Sequence, residues 1–155
     1  MRFVFAFVIL FKAGAVLSCS PGIHRDSFYI DSFAEVEWST ELYPPIVEKI
    51  SVWRSYCDFV TIKLQVALPE ESFYKVSDVG FYFISIDSST KNKAFPRSPK
   101  FARKEDGKYY LILELLDLRL NDQVPLELSF KLATVLKDST ISQLSNIISV
   151  QEGIK

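Results

Sequence analysis

Across residues 60–68 the chain alternates in polarity. Val60, Ile62, Leu64, Val66 and Leu68 fall on one face, with Thr61, Lys63 and Gln65 on the other. Successive side chains of a strand point to opposite faces, so this pattern predicts a strand with one buried and one wet face. The same period returns in Val124, Leu126, Leu128, Phe130 and Leu132 against Glu127, Ser129 and Lys131. A shorter version sets Ala34, Val36 and Trp38 against Glu35 and Glu37, and Pro44-Pro45 ends that region. Residues 46–53 read as a further strand of mixed pattern. Residues 79–86 are apolar on both faces, which predicts a central strand. Residues 109–120 form the richest apolar run. Tyr109-Tyr110 and the turn-like Asn121-Asp122 favour one strand of a hairpin there, with a Leu-rich helix as the alternative. Pro69-Glu70-Glu71-Ser72 reads as a turn.

Six or seven such strands predict an all-β chain, an antiparallel β-sandwich, with an immunoglobulin-like arrangement as one candidate. No Cys…Trp…Cys frame narrows the choice further. Toward the C-terminus Ile141, Leu144 and Ile148 fit one face of a short helix capped by Asp138 or Ser139, while residues 146–151 fit an edge strand equally well. Composition agrees with a β-rich core: 14% of the 155 residues are aromatic, and hydrophobic residues reach 48% against 24% charged. Five Gly, one His and two Cys exclude a glycine-rich nucleotide loop, a zinc ribbon and a disulfide-dense scaffold.

The chain opens with Arg2, an apolar run over residues 3–10, and the small residues Ala13, Gly14 and Ala15. This is the order of a secretory signal peptide, and the run is shorter than the roughly 20 apolar residues of a spanning helix. Val16-Leu17-Ser18-Cys19 resembles the lipobox of bacterial lipoproteins, with an aliphatic first position and Ser before the cysteine; Leu17 and Lys12 depart from the usual pattern. The resemblance covers only residues 1 to about 20. It implies cleavage before Cys19, acylation of Cys19 and a stable membrane tether, because each buried CH₂ contributes about 0.8 kcal/mol and several chains add. It also implies the cell envelope, at the outer membrane facing the periplasm, since Ser20 rather than Asp follows the cysteine. On this reading residues 1–18 are a signal peptide, 19–27 the lipidated cysteine and a polar tether, and 28–155 a single β-sandwich domain. The alternative is ordinary cleavage and a soluble secreted chain, with Cys19 free to pair with Cys57.

Chemistry-bearing residues are sparse. His24, the only histidine, lies in the expected tether, where no rigid scaffold would hold it as a base. No His/Cys cluster has metal-ligand spacing, so no metal or cofactor is expected. Glu35 with Glu37, and Glu70 with Glu71, are the available carboxylate pairs, both in polar surroundings. The conspicuous charge feature is a long basic loop over residues 91–108. Lys91, Lys93, Arg97, Lys100, Arg103, Lys104 and Lys108 stand against Glu105 and Asp106, a net of +5 on a remainder of −8 once residues 1–18 are removed. Such a loop suits an acidic protein, anionic headgroups or another polyanion; nucleic acid is not expected of an exported chain. The leading expectation is a non-catalytic envelope lipoprotein that binds another macromolecule as an assembly accessory, inhibitor or immunity-type protein. The alternatives are a small secreted enzyme using carboxylates and a purely structural envelope component.

Overall fold

A computed structural model of the chain describes residues 26–31, 33, 41–54, 59–86, 95–116 and 127–151. Eight strands follow in order: β1 (Ile46–Arg54), β2 (Phe59–Ala67), β3 (Gly80–Ser85), β4 (Lys100–Phe101), β5 (Arg103–Glu105), β6 (Lys108–Leu116), β7 (Glu127–Val135) and β8 (Ile148–Gln151). They form two four-stranded sheets, ordered β1-β2-β6-β5 and β4-β3-β7-β8. Every pairing is antiparallel. In the immunoglobulin scheme β1, β2, β6 and β5 take the places of strands A, B, E and D. Strands β3, β7 and β8 take those of C, F and G, and β4 is an added edge strand beside C. The expected antiparallel sandwich is therefore the fold, with immunoglobulin-like strand order.

The alternation in β2 explains how the sheets meet. Val60, Ile62, Leu64 and Val66 are buried and share one hydrophobic core with Leu111, Leu113 and Leu115 of β6. The same core takes in Phe81 and Phe83 of β3 and Leu128, Phe130 and Leu132 of β7. Burying a side chain of this size is worth about 1.5–3 kcal/mol, so these four inner strands hold most of the stability. Phe83, Phe95 and Phe130 close one end of the core with ring centroids 5.5 to 6.4 Å apart.

The mixed pattern of β1 has a local cause. Val47 pairs with Val66 and Lys49 with Gln65, so Glu48 is the extra residue of a bulge. The bulge inverts the phase, placing Val47 and Ile50 on the same side although they are three apart. Pro69 begins the expected turn, which Ser72 closes with an N–H bond to the Pro69 carbonyl at 3.0 Å.

Three expectations need correction. Strands β6 and β7 are not a hairpin: they lie in different sheets, and the chain crosses the sandwich between them. The tight hairpin is instead β5–β6, where Asp106 (φ 49°) and Gly107 (φ 80°) adopt the positive φ values that a two-residue turn matching the sheet twist requires. No helix forms over residues 141–148. Asp138 instead accepts hydrogen bonds from Thr140 N–H and Thr140 Oγ1, fixing a turn with Ser139 at φ 74°, and Ile148–Gln151 is the edge strand β8. Finally, the expected tether is shorter than residues 19–27. Ser27 bridges Lys100, and Phe101 N–H bonds to the Asp26 carbonyl, so Asp26 and Ser27 belong to the body. Among the described residues no helix is long and apolar enough to cross a membrane.

Candidate functional site

Two surfaces at opposite edges of the first sheet carry the unusual chemistry. The first contains the basic segment. Lys91 and Lys93 lie outside the described residues, as do Cys19, His24, Glu35, Glu37 and Cys57. From Lys100 onward what remains is strands β4 and β5, the start of β6 and a two-residue turn rather than one long loop. Chain passes from β4 in one sheet to β5 in the other through Ala102 alone, a small residue buried between them.

The strand geometry separates the cations. Lys100 pairs in register with the buried Phe81 and therefore points inward, with only 6% of its surface exposed. Burial pushes its ammonium pKa down, and the nearby Asp26 charge opposes that shift. Arg103 faces outward, and its Nε donates to Asp26 Oδ1 at 2.7 Å. That hydrogen bond holds the guanidinium above its ordinary value. Lys104 sits between them in register with Tyr109, its Nζ 5.8 Å from the ring centroid. Lys108 is opposite Glu105. Glu105 in turn accepts from Lys63 Nζ, which lies 4.2 Å over the Tyr110 ring. Among the described residues, Arg97, Lys104 and Lys108 are thus the exposed cations of the segment for which no carboxylate contact is seen, and Tyr109 and Tyr110 lie half-buried on the same edge as Lys104 and Lys108. An edge carrying Lys and Tyr can bind an acidic surface through charge and ring contacts together.

The second surface is the seam between the outer edge of β1 and the segment leading into β8. A groove of about 500 Å³ opens there, lined by Pro44, Ile46, Ile50, Leu144 and Ile147 among others. Four of its apolar side chains are notably exposed: Ile46 48%, Ile50 38%, Leu144 45% and Ile147 59%. The far wall is held by an arrangement that sequence reasoning missed. Ser145 N–H donates to the Leu132 carbonyl at 2.8 Å, and Leu132 N–H donates back to Ser145 Oγ at 2.9 Å. Ser142 repeats the exchange with Thr134 at 3.0 Å in both directions. Two serine hydroxyls therefore take the place of strand carbonyls along the upper half of β7. Their spacing of three, with no strand alternation, is the only signal the sequence carried. At the near wall Thr134 Oγ1 donates to the Tyr43 carbonyl at 2.7 Å, which pins the Pro44-Pro45 approach to β7.

Among the described residues no group of three or more His, Cys, Asp or Glu could hold a metal ion. Glu70 and Glu71 are both exposed at their turn. Comparison with protein-family models, curated proteins and solved structures returns no match.

Proposed function

We propose that this chain is a non-catalytic, lipid-anchored envelope protein whose sandwich binds an acidic protein partner through the β5–β6 edge. The observation that carries the reading is the exposed Lys104 and Lys108 on the edge that also carries Tyr109 and Tyr110, with Arg97 exposed in the segment leading into β4. Charge on this edge steers an acidic partner, and the tyrosine rings supply contact area at small entropic cost. The lipobox-like Val16-Leu17-Ser18-Cys19 supports the anchoring half of the proposal, with Cys19 acylated.

The geometry selects the test. Reversing Lys100 would bury a carboxylate, and reversing Arg103 would set it against Asp26, so neither reports on binding alone. Arg97→Glu, Lys104→Glu and Lys108→Glu together change the exposed surface only. The partner cross-linked to the wild-type chain in its own cells should be lost from this triple variant and kept by Lys75→Glu, a reversal at an exposed site elsewhere. Equal capture by both variants removes the basic edge from the proposal. The mass of the mature N-terminus tests the anchor independently: a diacylglyceryl-modified Cys19 is expected, and an unmodified chain starting elsewhere rejects it.

A second reading, a structural envelope component, is favoured by one observation, the exposed apolar side chains along the outer edge of β1.

A further inference from the structure

An exposed strand edge is a template for another strand, and folded proteins blunt such edges with short length, charge, bulges or a cover. Three of the four sheet edges here are blunted. Strand β5 has three residues, all charged, and Lys104 is directed toward the inner face. Strand β4 has two residues, and residues 26–28 run beside it. Strand β8 has four residues, and Ser142 and Ser145 occupy the rest of the β7 edge. The fourth edge, β1, has nine residues, of which the six after the Glu48 bulge run in unbroken register, and among the described residues no strand pairs its outer side.

From the β1–β2 register, Lys49, Ser51 and Trp53 point outward with Gln65, Lys63 and Thr61. Ile50 and Val52 point inward with the buried Leu64 and Ile62. Ile50 is nonetheless 38% exposed and Trp53 44%, because among the described residues nothing covers them from the side. This stretch is complementary to itself. An antiparallel pairing of two copies about a two-fold axis at Ser51 sets Lys49 opposite Trp53 twice, and Ile50 opposite Val52 twice, each pair on one face. A Lys ammonium over a Trp ring is the most favourable cation–π pairing a lysine makes, and Ile opposite Val is a favourable cross-strand pair. Centring the axis on Ile50 instead would oppose the inward Val52 to Glu48, the bulged residue that accepts an outward hydrogen bond from Gln65.

We infer that β1 docks a second copy of this chain, edge to edge and antiparallel about Ser51, joining the two β1-β2-β6-β5 sheets into one of eight strands. The incoming Ile50 and Val52 cover the resident Ile50 and extend over the groove toward Leu144 and Ile147. The contact is isologous and closes as a dimer, as a two-fold arrangement must. It leaves the basic edge at the far side of the sheet open, so it is independent of partner capture there.

The test is sedimentation of the purified full-length protein in detergent, with circular dichroism and thermal unfolding to confirm that each variant is folded. Wild type is expected to be a concentration-dependent dimer. Trp53→Lys places two like-charged pairs across the axis and should weaken association at least about tenfold. Adding Lys49→Glu to that variant recreates opposite charges in the same register and should restore the dimer. Ile50→Lys, an inward charge at an edge where its stem can still reach solvent, should give a folded monomer. A wild-type chain that stays monomeric overturns the inference, as when a strand of another protein is the true occupant. So does a dimer indifferent to Trp53→Lys, or one that Lys49→Glu fails to restore.

Discussion

The two edges of the first sheet differ in almost every respect that governs strand pairing. Strand β5 is three charged residues held by a two-residue turn, with its cations committed to Asp26 and the tyrosines nearby. Strand β1 is three times as long, opens on a proline pair, and shows Ile46, Ile50 and Trp53 at its side. One sheet thus has one short, charged edge and one long edge with apolar side chains exposed. The second sheet shows that blunting can also be done by cover: residues 26–28 run beside β4, and serine hydroxyls line β7. The contrast teaches that exposure of apolar side chains alone does not mark a docking edge; length and uncommitted backbone decide it.

Removing a guard should make a blunted edge behave like β1. The largest effect is expected at Gly80. A Cβ there would come within 2.5 Å of two Phe28 ring carbons, so Gly80→Ala should push Phe28 and residues 26–28 off the β4 edge. Overpacking of this kind costs up to about 3 kcal/mol. Urea unfolding should record the loss, and hydrogen exchange at Phe28 and Phe101 N–H should rise with it; unchanged protection at these amides would show that Phe28 does not guard the edge.

Next is Ser145→Ala, which leaves the buried Leu132 N–H without its acceptor and should destabilise by about 2 kcal/mol. Ser142→Ala, at a part-buried bond, should cost less. No loss at Ser145 would mean that the hydroxyls do not substitute for strand carbonyls. Gly107→Ala should cost about 1–2 kcal/mol. Nothing lies near its Cβ position, so the penalty is the φ of 80° alone, and chemical denaturation of Gly107→Asn should show part of it recovered.

The smallest effect concerns Lys100. Its folded pKa is depressed by burial, so between that value and the ordinary 10.5 the unfolded chain binds more protons. Stability from this group therefore rises with pH across that window and is lowest where Lys100 is charged in both states. Lys100→Met should flatten the alkaline rise in the unfolding midpoint while the rest of the profile is kept. A parallel profile in both proteins would place Lys100 in water.

How much of this was legible in the sequence depends on the neighbours each strand has. Strand β2 sits between two partners with one face in the core, so its period-two pattern is clean and the buried set could be read directly. Strand β1 hid its phase behind the Glu48 bulge, since one extra residue moves every later side chain to the other face. The Asp106-Gly107 pair carried the strongest local hairpin signal in the chain, yet the basic residues around it read as a loop. Cations on a short edge strand look like a solvated connection when only composition is weighed. Tyr109 to Leu116 read correctly as strand but with the wrong companion, because pairing across the sandwich is set by the core and not by the turn that follows. The site fared less well. Lys100 and Arg103 belonged to the candidate binding set by charge, and only the register shows one turned inward and the other bound to Asp26. The β1 seam left no motif, being a property of which strand ends up outermost.

The docking of residues 26–28 beside β4 also decides how the body would answer a pull from its N-terminal side. Load arriving through Asp26 falls first on two backbone hydrogen bonds, Phe28 N–H to Pro99 and Phe101 N–H to Asp26, and on the Arg103 clasp. These would give way one after another before the paired core strands bear any strain. A short length of chain would then pay out like a shock absorber, leaving both sheets whole.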